Sequence, residues 1–236
     1  MKRFLWITSL MVVSAFCQAV VASECIATPQ QAVKVEYENP QHAEQRLIFW
    51  RYQGEVAWEN PTSGQVALWH RLPNGRVAMN KLFAKAKRGI AYEPADLHIL
   101  GKDQDWRTLA VLGSPKMLGF GEDDLDRTGA WQQSPCLKIQ TFLSADRGIA
   151  LEWIPELAVP ASLKVKGAGV NWKASRIVAE VSAVQKRFDE WRHYELTDFA
   201  DIGDMEADPF VSQMINMGFV EHSEHSAYYA NGQPID

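Results

Sequence analysis

Alternating apolar and polar positions run through the first half of the chain. Val33, Val35 and Tyr37 alternate with charged residues, which is the period of two typical of a half-buried β-strand. Similar segments follow, separated by turn residues such as Asn74-Gly75, and short strands joined by tight turns pair antiparallel. The pattern predicts strands at 33–38, 46–52, 55–59, 65–72 and 76–83.

The middle of the chain shows helical spacing before strands return. Apolar residues recur at the spacing of a helix within 96–101 and 103–112, and Ser114-Pro115 is typical of the start of a further short turn. A second series of strands is predicted at 136–143, 149–153, 162–166 and 170–181. Residues 182–191 fit either a short helix or a strand extension, and the pattern does not separate the two.

These elements predict an α+β fold with one large, curved antiparallel sheet of about eight to ten strands, with inserted central helices and a C-terminal helix. So long a sheet must curl or close, and an open, half-barrel-like form would present a concave apolar face. The tryptophans expected on that face as a ligand-binding surface are Trp50, Trp58, Trp69, Trp153 and Trp172. This layout resembles that of periplasmic lipoprotein and lipid carriers of the LolA type, in architecture and without a motif that assigns a family.

The first 22 residues have the pattern of an export signal. Lys2 and Arg3 precede an apolar run that extends to about Phe16, and the small residues Val20 and Ala22 mark a cleavage site. We therefore expect a cleaved signal peptide at 1–22 and a single globular domain at 23–236. The mature protein would be periplasmic or secreted, with no membrane span after signal cleavage.

Cleavage would leave two cysteines, Cys25 and Cys136. An even pair in a chain sent to an oxidising compartment predicts a disulfide bond between them. Such a bond would fix the mature N-terminus to the middle of the chain. A thiol redox enzyme is disfavoured because no CxxC pair is present.

Charge divides unevenly along the sequence. Residues 23–188 carry 21 Lys and Arg against 18 Asp and Glu, whereas 189–236 carry 11 acids and the single base Arg192. This balance argues against a nucleic-acid-binding surface, which needs a basic face. An acidic C-terminal segment favours a cation site, a basic partner or docking onto the basic stretch 81–88 of the same chain.

Five carboxylates lie within residues 198–208, and three of them, Asp198, Asp201 and Asp204, are candidate metal ligands. Closely spaced acids with a glycine at a bend suit calcium, although the spacing is not that of an EF-hand. Asp208 before Pro209 is also the expected cap of a helix that runs to Met217, because aspartate accepts hydrogen bonds from a first turn. That helix is predicted to be a core element or a partner-binding lid.

His222 and His225 form a second candidate metal site. Two imidazoles three residues apart share one face of a helix and can bind a transition metal, with His193 or an acid as third ligand. The alternative is a pair of exposed histidines in a polar tail.

The sequence contains no GxSxG, HExxH, P-loop or GxGxxG motif. The leading hypothesis is an exported binding protein that holds an apolar small molecule on the concave face without a required cofactor. One alternative is a cation-dependent protein or hydrolase that uses 198–208 and the nearby histidines. Another is an envelope assembly factor that presents its acidic surface to an envelope protein.

Overall fold

One mixed sheet of twelve strands dominates the computed structural model, which describes residues 32–132 and 134–220. The strands lie in the order β12-β6-β5-β4-β3-β2-β1-β11-β10-β9-β8-β7, and the sheet is not closed. All neighbouring strands are antiparallel except β12 and β6, which are parallel. None of the helices in the described part of the chain is long and apolar enough to cross a membrane.

The strands have the following bounds: β1 Ala32–Asn39, β2 His42–Tyr52, β3 Glu55–Asn60, β4 Gln65–Arg71, β5 Val77–Phe83, β6 Arg88–Tyr92, β7 Leu125–Trp131, β8 Ser134–Ser144, β9 Ile149–Ile154, β10 Val159–Val165, β11 Val170–Val178 and β12 Glu195–Asp198. The α-helices are α1 Pro94–Ile99, α2 Trp106–Val111, α3 Val181–Arg192 and α4 Pro209–Asn216. Two 3-10 helices span Glu122–Asp124 and Phe199–Asp204.

The helices cover both faces of the sheet. Leu97 of α1, Leu109 of α2 and Met214 of α4 share one apolar cluster with side chains of β4, β5 and β6, and we call this side the α4 face. Residues of α3 share a different cluster with the alternate side chains of β2, β3 and β4, and we call this side the α3 face. Successive residues of a strand point to opposite faces, so β3, β4 and β5 contribute to both clusters.

Helix α3 forms because its apolar residues recur at helical spacing. Val184, Phe188 and Trp191 lie on one side of the helix and are almost fully buried. Trp191 packs edge-on against Trp50 of β2, with ring centroids 5.6 Å apart. Residues 182–191 are therefore helical, which settles the choice that the sequence pattern left open.

Helix α4 has the cap that the sequence predicts. The Asp208 carboxylate accepts hydrogen bonds from the backbone N–H groups of Phe210 and Val211, at 2.8 and 3.1 Å. Arg88 of β6 donates to both oxygens of the same carboxylate at 2.9 Å. These hydrogen bonds lower the pKa of Asp208, chiefly through the Val211 N–H and then through Arg88. The acidic segment therefore docks in part onto the basic stretch of its own chain.

The broad fold prediction is confirmed, since the molecule is a large open antiparallel sheet with few helices. The predicted number of eight to ten strands is too low. Three strands went unpredicted: β6, β7 and β12. Strand β7 is exposed at every position before Trp131, and β12 has only four residues, so neither shows the alternation of a half-buried strand.

The predicted disulfide remains a prediction, because Cys25 lies outside the described residues. Cys136 lies half-buried on β8, four strands away from β1 in the sheet. Four strand spacings amount to about 19 Å, and the seven residues from Cys25 to Ala32 can span about 24 Å. The chain is therefore long enough to make the bond.

We expect the mature protein to have no titratable thiol under non-reducing conditions. Peptide mass spectrometry should recover one linked peptide pair that contains Cys25 and Cys136, and reduction should release both peptides. A Cys136→Ser variant serves as the control, because it should leave Cys25 reactive. Two reactive thiols in the unreduced protein would contradict the prediction.

Candidate functional site

An apolar cavity of about 350 Å³ lies on the α4 face, between the sheet and the segment that follows α2. We call it the Trp172 cavity. Its lining contains no charged side chain and consists of Tyr37, Leu47, Trp58, Thr108, Leu112, Gly113, Met117, Pro160, Leu163, Val170 and Trp172. A mainly apolar concave site with few polar groups is the usual form of a small-molecule pocket.

The pairing of β10 with β11 positions two side chains of the cavity wall. Trp172 of β11 lies directly opposite Leu163 of β10, so the two side chains share the α4 face. The roof is formed by the chain after α2, which turns away from the sheet at Leu112 and Gly113, both with positive φ. Glycine adopts this conformation without steric cost, which explains its place in the turn.

A half-buried arginine links the roof to the sheet. Arg51 of β2 donates hydrogen bonds to the carbonyl of Ala110 in α2, at 2.5 Å, and to the carbonyl of Leu157. Burial lowers the pKa of Arg51, since a desolvated guanidinium is less stable in its charged form. The guanidinium thus links the end of α2 to the turn that precedes β10 and fixes one side of the cavity.

A second cavity of about 350 Å³ lies beside the first. Leu47 and Trp58 line both cavities, so the two together form a continuous wall on the α4 face. The second cavity reaches Met79, Tyr92 and Phe219 at its far end, and we call it the Tyr92 cavity.

Trp58 carries a buried donor without a hydrogen-bond partner among the described residues. The indole Nε1 of Trp69, in the cluster under α4, is also buried and has no hydrogen-bond partner among the described residues. A buried N–H that is not hydrogen-bonded costs about 1 to 3 kcal/mol, and buried indoles usually find an acceptor. Both indole N–H groups are fully buried, so neither is presented to a ligand in the cavity.

The five tryptophans of the sequence prediction occupy different places. Trp58 and Trp172 line the Trp172 cavity together. Trp69 is buried in the cluster under α4, and Trp153 lies with Phe120 and Phe142 in a separate cluster. Trp50 lies on the α3 face, where its Nε1 donates to Glu59 at 2.9 Å. The structure therefore brings two of the five to one cavity.

The candidate calcium ligands do not converge within the described residues. Asp198, Asp201 and Asp204 are all exposed, while Phe199 and Ile202 of the same 3-10 helix are buried. Residues 32–132 and 134–220 contain no group of three or more His, Cys, Asp or Glu placed to hold a metal ion. His222 and His225 lie outside the described residues, so the transition-metal site remains a prediction.

A polar cavity of about 510 Å³ lies at the β7–β8 end of the sheet. Several of its polar groups already have partners: Arg127 Nε donates to Thr141 Oγ1 at 3.3 Å, and Glu152 accepts from Ser162 Oγ at 2.8 Å. Because these groups already bond within the protein, this cavity indicates a ligand less clearly than the apolar cavities do.

Comparison with known proteins adds no family to this picture: no family model matches the chain, and a search of curated proteins finds no similar sequence.

Proposed function

We propose that this chain is an exported binding protein that holds an apolar ligand on the α4 face of a curved, half-barrel-like sheet. The Trp172 cavity is the observation that carries the proposal, because it is apolar, roofed by a separate segment and lined by two of the predicted tryptophans. The segment 193–218, which contains β12 and α4, would close the far end of the face. The protein would act in the periplasm or outside the cell.

The chemistry of the wall favours an acyl chain, such as that of a fatty acid or a lipid ester. No charged side chain lines the Trp172 cavity, so the part of the ligand inside it must be apolar. Each buried methylene contributes about 0.8 kcal/mol, so ten methylenes would contribute about 8 kcal/mol against an association cost of about 4 to 15 kcal/mol.

The cavity mouth offers a matched pair of substitutions. Met117 lines the Trp172 cavity and Leu143 lies away from it, and the two side chains are 42% and 55% exposed. Replacing an exposed residue changes the free energy of unfolding by about 0.5 kcal/mol or less. Met117→Asp would place a carboxylate at the cavity, whereas Leu143→Asp would add the same charge elsewhere.

We expect a fluorescent fatty-acid analogue to bind the mature protein and the Leu143→Asp variant with equal affinity. The Met117→Asp variant should bind at least about tenfold more weakly, since an acyl chain would have to pack against a partly desolvated carboxylate. Fluorescence titration at constant ionic strength provides the measurement. Equal affinity of both variants, or no saturable binding by the mature protein, would contradict the proposal.

A further inference from the structure

The described chain ends at the wall of the Tyr92 cavity. Val220, the last described residue, is buried in the α4-face cluster, and Phe219 before it lines the cavity. The carbonyl of Phe219 accepts a hydrogen bond from Lys81 Nζ at 2.6 Å, and the Phe219 ring lies 5.7 Å from that of Phe83. The described part of the chain therefore ends at a fixed point beside an apolar opening.

The composition of residues 221–236 is complementary to the cavity. Their acids are Glu221, Glu224 and Asp236, and they contain no Lys or Arg. The cavity wall carries two cations, Lys81 and Lys102, next to apolar side chains. Opposite charges on two surfaces favour their association and set its orientation.

The segment also carries apolar groups within reach of an extended chain. Residues 227–230 read Ala-Tyr-Tyr-Ala, an apolar stretch with two aromatic rings between polar residues. Tyr228 is eight residues beyond Val220, and an extended chain of that length spans about 27 Å. Tyrosine combines a large apolar ring with a polar tip, which suits the opening of an apolar cavity.

We propose that residues 221–236 occupy the Tyr92 cavity, with Glu221 and Glu224 near Lys81 and Lys102 and the tyrosines against the apolar wall. Because the Tyr92 and Trp172 cavities share Leu47 and Trp58, the segment would then compete with a ligand on the α4 face. The competition rests on the proposed function, whereas occupation of the cavity by the segment does not. When a protein's own chain fills the site in some of the molecules, the apparent ligand affinity falls in proportion to the fraction whose site is empty.

Three versions of the mature protein test the proposal: the whole chain, a chain that ends at Val220 and a control chain that ends at Asn231. The control loses five residues but keeps both tyrosines and both glutamates. The first measurement is the rate at which an amine-acylating reagent modifies Lys81 and Lys102 without ligand, followed by peptide mass spectrometry. Lys164 serves as the internal reference, because its side chain is exposed on β10 and lines neither cavity.

We expect truncation at Val220 to raise the labelling rate of Lys102 relative to Lys164 by about threefold or more, and truncation at Asn231 to leave it unchanged. The truncated chain should also bind the fatty-acid analogue about fivefold more tightly than the whole chain. Equal labelling in all three chains would overturn the proposal, even if the analogue binds. Changed labelling without any binding of the analogue would support occupation of the cavity and count against the proposed acyl ligand.

Discussion

Replacing Glu59 by alanine should lower the free energy of unfolding by about 3 kcal/mol, because it would break a buried ion pair. Glu59 of β3 is 8% exposed and lies under α3. One carboxylate oxygen accepts from Arg187 of α3 at 2.7 Å, and the other accepts from the Trp50 Nε1 at 2.9 Å. Alanine would leave both donors on the α3 face without this acceptor, and a buried donor without a partner is costly.

Glu44→Ala provides the matched control on the neighbouring strand. Its side chain is 72% exposed and has His42 as its ionic neighbour at 3.5 Å, so its loss should change stability by about 0.5 kcal/mol or less. Glu59→Gln should lie between the two, since the amide oxygen can still accept from Trp50. Urea unfolding at pH 7, followed by tryptophan fluorescence, measures all three. Similar unfolding midpoints for the two alanine variants would show that Glu59 does not hold α3 in place.

Sequence patterning identified the strands that have one apolar face and missed those that do not. Val33, Val35 and Tyr37 alternate with charged residues, and β1 lies where the alternation predicts it. Strand β12, by contrast, is short and polar, and it is held by its parallel pairing with β6 and by the bond from Arg88 to Thr197. Such contacts join residues more than a hundred positions apart, and a local pattern does not contain them.

The sequence pattern placed only part of the candidate site, because the rest depends on contacts between residues that are distant in the chain. The run Leu47 to Trp50 is apolar at every position, because β2 is covered by side chains on both faces, so the pattern could not assign Trp50 to a face. Trp58 of β3 and Trp172 of β11 line one cavity because only β2 and β1 lie between their strands in the sheet, an order that the sequence does not reveal. The cavity roof depends on Arg51, whose role emerges only from its bonds to distant carbonyls.

Replacing Phe210 by alanine should lower the free energy of unfolding by about 3 to 4 kcal/mol, in the range for a large buried aromatic residue. Phe210 of α4 is 8% exposed, packs edge-on against Phe83 with ring centroids 5.6 Å apart, and lies under the Arg88 guanidinium at 4.5 Å. Removing the ring would leave a void between α4 and β5 and take away a cation–π contact.

Met217 at the end of the same helix is the control, since it is 54% exposed and Met217→Ala should change stability by about 0.5 kcal/mol or less. Urea unfolding and hydrogen exchange of residues 209–217 together distinguish a core helix from a lid. If α4 belongs to the core, Phe210→Ala lowers global stability and the helix exchanges only with the rest of the sheet. If α4 is a lid, the variant accelerates exchange of the helix alone, and the urea midpoint stays where it is. The burial of Phe210, Val211 and Met214 against β5 and β6 leads us to expect the first result.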